Sequence, residues 1–201
     1  MLVWVRVFLY ALIVVVGGAA LVVAAFGPER GVRILEDFAA TKVGGPFAMV
    51  DHDGRAVTDA DYRGRYMVVL FGFTNCPDIC PTELQIITAA LDSLPKPALD
   101  KIQPLFVTVD DERDTPAAMK AYLTNFHPRI VGLTGTAAQI EAIKKVYRAY
   151  AAKGERNKDG EFMIEHAGFL YVMGPDGKFV EVWKPGLKPD ELAVKLKRTV
   201  G

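Results

Sequence analysis

The sequence predicts an α/β domain on a central mixed sheet flanked by helices, preceded by an N-terminal transmembrane helix. Three observations carry this. Residues 7–26 are twenty uncharged and mostly apolar residues, the length a helix needs to cross a bilayer. Beyond them, short apolar runs alternate with stretches of helical periodicity. Near the C-terminus two apolar runs flank Gly174-Pro175-Asp176-Gly177, a turn signal that adds a hairpin to the alternating pattern.

The competing reading of the N-terminus is a cleaved signal peptide, whose apolar region runs about 7–15 residues and ends in small residues. Residues 17–20 resemble such an end, but the apolar run continues from Leu21 to Phe26. The expectation is therefore an uncleaved anchor over 1–27, a connector over 28–44 and a folded domain over 45–201. Arg6 precedes the segment while Arg30 and Arg33 follow it, so basic residues do not orient the anchor. No long Arg/Ser-rich presequence marks an organellar precursor.

Within the domain, Asp51-His52-Asp53-Gly54 separates two short apolar runs and predicts a hairpin over 47–57. Residues 66–73 form a continuous apolar run, the mark of a strand buried on both faces. Pro81 suits a first helical position, so a helix is expected over 82–94, with Leu84, Ile87 and Leu91 on one face. A strand follows at 105–109 and a helix at 116–126 with Thr115 as its cap. Next come a strand at 130–133 and a helix from Thr136 to about 151, its apolar face made by Ile140, Ile143, Val146 and Tyr147. Residues 154–161 read as a polar loop. A strand at 168–173, its hairpin partner at 178–183 and a helix at 189–200 complete the chain.

The 24 basic and 24 acidic residues balance to a net charge of zero. There is no basic stripe for nucleic acid. Two cysteines are too few for a disulfide scaffold. Both lie in one short stretch, Cys76-Pro77-Asp78-Ile79-Cys80-Pro81, where the buried strand gives way to a helix. Unpaired backbone N–H groups and the helix dipole converge there, which favours thiolate over thiol. Thiolates are soft donors and select copper(I). A separation of four residues places both sulfurs on one side of a helical turn, and the same proximity permits a disulfide of ordinary geometry.

Two thiolates leave such a cation short of a third donor, and the chain has three histidines. His52 falls in the hairpin turn, where a solvated side chain is expected. His127 precedes Pro128 at a helix end and suits a capping or surface role. His166 stands just before a predicted core strand, and loops at strand ends gather around sites in α/β sheets. Position alone leaves it as readily a bystander as a ligand.

The stretch from Phe71 to Pro81 resembles the Sco/SenC copper chaperones. So do Val109 to Pro116, Gly132-Leu133-Thr134-Gly135, residues 147–153, Glu165-His166 and Gly174 to Gly177, in the same order. The likeness spans about 45–200. It implies a thioredoxin-like fold on a membrane tether, with Cys76, Cys80 and His166 as ligands for copper(I), with copper(II) as a further state. Three positions depart from the family pattern. Asp111 replaces a proline, Glu165 an aspartate and Ala167 a hydroxyl residue. Glu165 keeps a carboxylate beside the ligand, able to orient its ring. Asp110, Arg113 and Asp114 read as a charged turn at a strand end rather than a direct contact with metal.

The resemblance implies a metallochaperone that helps build the copper centre of cytochrome c oxidase, at the dinuclear site of subunit II. Other copper chaperones or thiol reductants are its expected further partners. Such chemistry lies outside the cytoplasm, so the expected location is the bacterial inner membrane, single-pass, with the domain in the periplasm. A second reading is a thiol–disulfide reductase using Cys76 and Cys80 as a redox pair. A third, a peroxiredoxin-like peroxidase, needs Pro and Thr seven and three residues before its cysteine. Phe73 and Pro77 stand there before Cys80, and Val69 and Phe73 before Cys76.

Overall fold

The computed structural model describes residues 43–158 and 162–201. The expected transmembrane helix at 7–26, the anchor and nearly all of the connector lie outside the described residues. Among those described, no helix is long and apolar enough to cross a membrane. The chain divides into two units, Met1–Thr41 and Lys42–Gly201, and the described residues belong to the second.

A hairpin of β1 (Ala48–Asp51) and β2 (Ala56–Thr58) comes first, followed by a 3-10 turn, Asp59–Tyr62. Then come β3 (Tyr66–Gly72), α1 (Ile79–Asp92), the short α2 (Lys96–Leu99), β4 (Ile102–Thr108), α3 (Pro116–Leu123), β5 (Val131–Thr134) and α4 (Ala137–Tyr147). The rest is β6 (Ala151–Lys153), β7 (Ile164–His166), β8 (Leu170–Met173), β9 (Phe179–Trp183) and α5 (Pro189–Val200). Seven strands form one sheet in the order β2-β1-β5-β4-β3-β8-β9, while β6 and β7 make a separate two-stranded ribbon. β3, β4 and β5 run parallel, whereas β1 and β8 run antiparallel to the strands beside them. This is the mixed sheet that the alternating pattern predicts.

Burial explains the uniform apolar runs. Val68, Val69, Leu70 and Phe71 of β3 are all buried, and so is every residue of β4, because helices cover both faces of a parallel core. Caps fix the helices around it. The Thr115 hydroxyl accepts from the Ala118 N–H at the start of α3. Thr136 and Gln139 bond each other reciprocally at the start of α4.

The structure moves several predicted boundaries. α1 begins at Ile79 rather than after Pro81, so Cys80 lies within its first turn. The first-turn N–H groups have no intrahelical acceptor in any case, so Pro81 costs nothing as the third residue. The Thr82 N–H closes that turn on the Asp78 carbonyl at 3.2 Å. β4 starts at Ile102 and runs through Pro104, because β5 pairs only from Leu105 onward and leaves a missing N–H an open side. α3 stops at Leu123, three residues earlier than expected. α4 stops at Tyr147, where Arg148 turns left-handed with φ 53°. The residues beyond it fold into β6 instead of continuing the helix.

Register sets the site. β8 runs antiparallel to β3, pairing Leu70 with Leu170 and Met67 with Met173. The beginning of β8 therefore lies at the end of β3 that feeds the cysteine turn.

Candidate metal centre

The Cys76 N–H bonds to the Phe73 carbonyl at 3.2 Å, which tightens the turn as it leaves β3. The turn is anchored from beneath by Asp114. Its carboxylate accepts the Thr74 N–H at 3.0 Å, the Thr74 hydroxyl at 2.5 Å and the Thr108 hydroxyl at 2.5 Å. Burial pushes the Asp114 carboxyl above its ordinary range, and these three donors pull the other way. On the inner side, Gly72 leaves no side chain where Cys80 packs. A Cβ there would stand 2.6 Å from the Cys80 sulfur and 2.6 Å from the Phe106 ring.

Both cysteines are free thiols and both are buried, Cys80 at 1% exposure and Cys76 at 8%. The Cys80 N–H points at the Cys76 sulfur at 3.4 Å. The Cys76 thiol is held well below the ordinary range, first by the hydrogen bond from Cys80 and then by His166 and the backbone N–H groups of the helix start. Cys80 moves the opposite way, because it donates to Cys76 and is buried. Of the pair, Cys76 is the one whose thiolate is favoured, and it is the less deeply buried residue.

His166, expected just before a core strand, ends the short strand β7. The β6–β7 ribbon pairs it with Ala151. Its Nε2 lies 3.2 Å from the Cys80 sulfur and 3.7 Å from that of Cys76. The three donor atoms fall within 4.8 Å of one another, a group able to hold a metal ion. The Phe73 ring meets the imidazole edge to face, with centroids 5.6 Å apart. Gly168 lets the chain after the histidine approach the helix start, since a Cβ there would stand 2.8 Å from Ile79. Two buried soft sulfurs and one imidazole nitrogen of a half-buried histidine suit a soft cation of low coordination number.

The other two histidines are apart from this group. His127 caps a turn, its Nδ1 accepting the Arg129 N–H at 3.1 Å. His52 is half-buried rather than solvated, and its Nδ1 accepts the Gly132 N–H at 2.8 Å. That bond continues the β1–β5 pairing past the last strand residue. The orienting role expected for Glu165 is overturned. Glu165 is exposed, and among the described residues the buried Nδ1 of His166 has no hydrogen-bond partner. In a strand of alternating sides, the carboxylate beside the histidine points away from it. The charged turn is as expected, with Arg113 bonded to the buried Asp110. Sequence reasoning missed Gly72 and Asp114 as parts of the site, and only their partners across the sheet reveal them.

A central mixed sheet ending in a dithiol turn, with a histidine brought against both sulfurs, defines a thioredoxin-like protein with a Cys–Cys–His metal-binding group. The SCO1/SenC family model matches residues 36–201, and the chain belongs to that family. It is 41% identical over 155 residues to the mitochondrial SCO2 homologue of Bos taurus, covering 77% of this chain and 58% of the relative. It is 40% identical over 163 residues to sco1 of Schizosaccharomyces pombe, covering 80% and 62%. The chain thus spans only about three-fifths of the length of these relatives. Among solved structures, copper-bound ScoI of Bradyrhizobium japonicum superposes with a TM-score of 0.72 at 43% identity, covering 78% of this chain and 98% of that one. Copper-bound yeast Sco1 gives 0.73 at 38% identity, covering 79% and 88%.

Proposed function

We propose that the chain is a membrane-tethered copper(I) metallochaperone that delivers copper to cytochrome c oxidase, at the dinuclear site of subunit II. The observation that carries this reading is the meeting of His166 Nε2 with both cysteine sulfurs, at 3.2 and 3.7 Å. Copper-bound relatives at 43% and 38% identity support it. In this reading Cys76, Cys80 and His166 are the ligands, and copper is cargo rather than a resident catalyst. Transfer proceeds by ligand exchange: an acceptor thiolate or imidazole enters as His166 or one cysteine leaves. The dithiol must be reduced, because a disulfide offers no thiolates.

The tether is residues 1–27, the connector 28–44 and the working domain 45–201. The apolar segment at 7–26 supports a single-pass anchor in the bacterial inner membrane. Copper chemistry for the oxidase supports a domain facing the periplasm, where other copper chaperones or thiol reductants act as partners. The test is a copper(I) titration of the reduced protein against a competing chelator, with X-ray absorption to count donors. One copper bound by two sulfurs and one nitrogen is expected. Failure to compete, or a site of sulfur donors alone, overturns the assignment.

A second reading rests on the split between the two thiols. Cys76, the thiolate, attacks a partner disulfide and forms a mixed disulfide, releasing one partner thiolate. Cys80 then loses its proton and attacks Cys76, which releases the second partner thiol and leaves a Cys76–Cys80 disulfide. The partner gains two electrons and this chain loses two. Stoichiometric formation of that disulfide on mixing with an oxidised subunit II domain tests it.

A further inference from the structure

The third donor lacks the support that a metal-binding histidine ordinarily has. Such a ring usually donates its second nitrogen to a carboxylate or carbonyl, which fixes its orientation. Here the buried Nδ1 of His166 has no partner among the described residues. The ring is placed by the β6–β7 ribbon that carries it and by the Phe73 ring packed at right angles to it.

The ribbon buries Phe162 and Ile164 in the core, and a set of charged contacts ties it to the turn between β4 and α3. Lys153, the last residue of β6, reaches Asp111 at 2.5 Å and Glu112 at 2.9 Å. Arg156 reaches Glu112 at 2.5 Å. From the domain side, Arg113 donates to the Phe162 carbonyl at 3.1 Å. The buried Phe162 ring is met by three cations, with the Arg113 guanidinium 4.0 Å, that of Arg156 4.5 Å and the Lys153 ammonium 5.4 Å from its centroid. Arg113 also lies over Phe73, 5.7 Å from its centroid, and the Phe73 ring is the one that packs at right angles to the imidazole. The contacts thus run without a gap from the ion pairs to the ligand ring.

We propose that Lys153 and Arg156, latched onto Asp111 and Glu112, are positioning residues that set His166 against the two sulfurs. Asp111 makes the shorter of the two Lys153 contacts. The proposal rests on the copper reading for its effect on affinity, but not for its effect on the metal-free ribbon.

Partly exposed ion pairs are individually weak and salt-sensitive, so the effect is graded. Lys153→Met and Glu112→Gln are each expected to weaken copper(I) binding roughly three- to ten-fold, the range of one or two such pairs. Raising salt from 50 mM to 500 mM weakens wild-type binding and moves the variants less. Lys153→Arg restores affinity. A metal-free readout separates the two ideas: the His166 imidazole NMR resonances of the reduced apoprotein, which shift and broaden in Lys153→Met and recover in Lys153→Arg. Unchanged imidazole resonances in Lys153→Met, with its melting temperature near that of wild type, overturn the latch even where copper binds well. If the wild type binds no copper(I), the functional reading fails while the imidazole comparison still decides the latch. Since both substitutions lie on partly exposed side chains, the folded state is expected to survive them.

Discussion

The imidazole Nε2 of His166 lies 3.2 Å from the sulfur of Cys80, across 86 residues of sequence. A two-sulfur turn by itself offers only linear coordination or a disulfide, and this contact turns it into a three-donor site. His166→Ala is expected to weaken copper(I) binding by more than about 100-fold, since even outer-shell partners cost about 10–100-fold. The thiols remain, so oxidation of Cys76 and Cys80 by an exogenous disulfide persists. A chelator competition that gives equal affinities for wild type and variant removes the histidine from the ligand set.

Gly72 faces Cys80 at the end of β3. A methyl group there meets the sulfur and the Phe106 ring, each at 2.6 Å, with the strand fixed on both sides by β4 and β8. Overpacking of a core costs about 1–3 kcal/mol. Gly72→Ala is therefore expected to lower the urea midpoint and to weaken copper binding together, because the relief available is displacement of the ligand sulfur. A variant with wild-type stability and affinity contradicts the close approach.

Asp114 serves the site without touching it. Its carboxylate satisfies three donors, two of them on Thr74, two residues before Cys76. Asp114→Ala leaves both Thr74 donors without their acceptor, and one unsatisfied buried donor costs about 1–3 kcal/mol. The expected loss is at least about 2 kcal/mol by chemical denaturation, with faster alkylation of Cys76 in the folded apoprotein. Unaltered alkylation alongside the lost stability confines Asp114 to a structural role.

The cysteine turn was legible because its chemistry is local: a buried strand, two cysteines and a helix start are consecutive in the chain. The strands at 66–73 and 168–173 were legible from their apolar runs, and the helix at 189–200 matches its predicted bounds. What brings His166 to the cysteines is the antiparallel register of β8 on β3, which no local pattern encodes. That is why position left its role open and only the resemblance favoured it. The β6–β7 ribbon was missed because strands of three residues carry too little alternation to register. The contacts of Lys153 with Asp111 and Glu112 join residues more than forty apart, beyond any helical spacing rule. The orienting role given to Glu165 failed because adjacent strand residues point to opposite sides.

Glu83 makes a pH-dependent contribution that can be isolated. It lies on α1 and is buried, with Oε1 accepting the Gly186 N–H at 2.6 Å and Oε2 without a partner among the described residues. Burial raises its carboxyl above the usual 4.5, with the Gly186 bond opposing that shift. The folded state therefore holds this proton more tightly than the unfolded chain. Stability from this group is fully present below the unfolded value and is lost as pH rises through the folded one. Glu83→Gln keeps an oxygen for Gly186 and has no charge to bury, so its stability lacks this decline. Urea unfolding of the reduced apoprotein from pH 4.5 to 7.5 is expected to show the variant gaining on wild type as pH rises. Parallel stability curves across that range mean that Glu83 carries its charge in the fold at no cost, which is incompatible with an unpartnered buried oxygen.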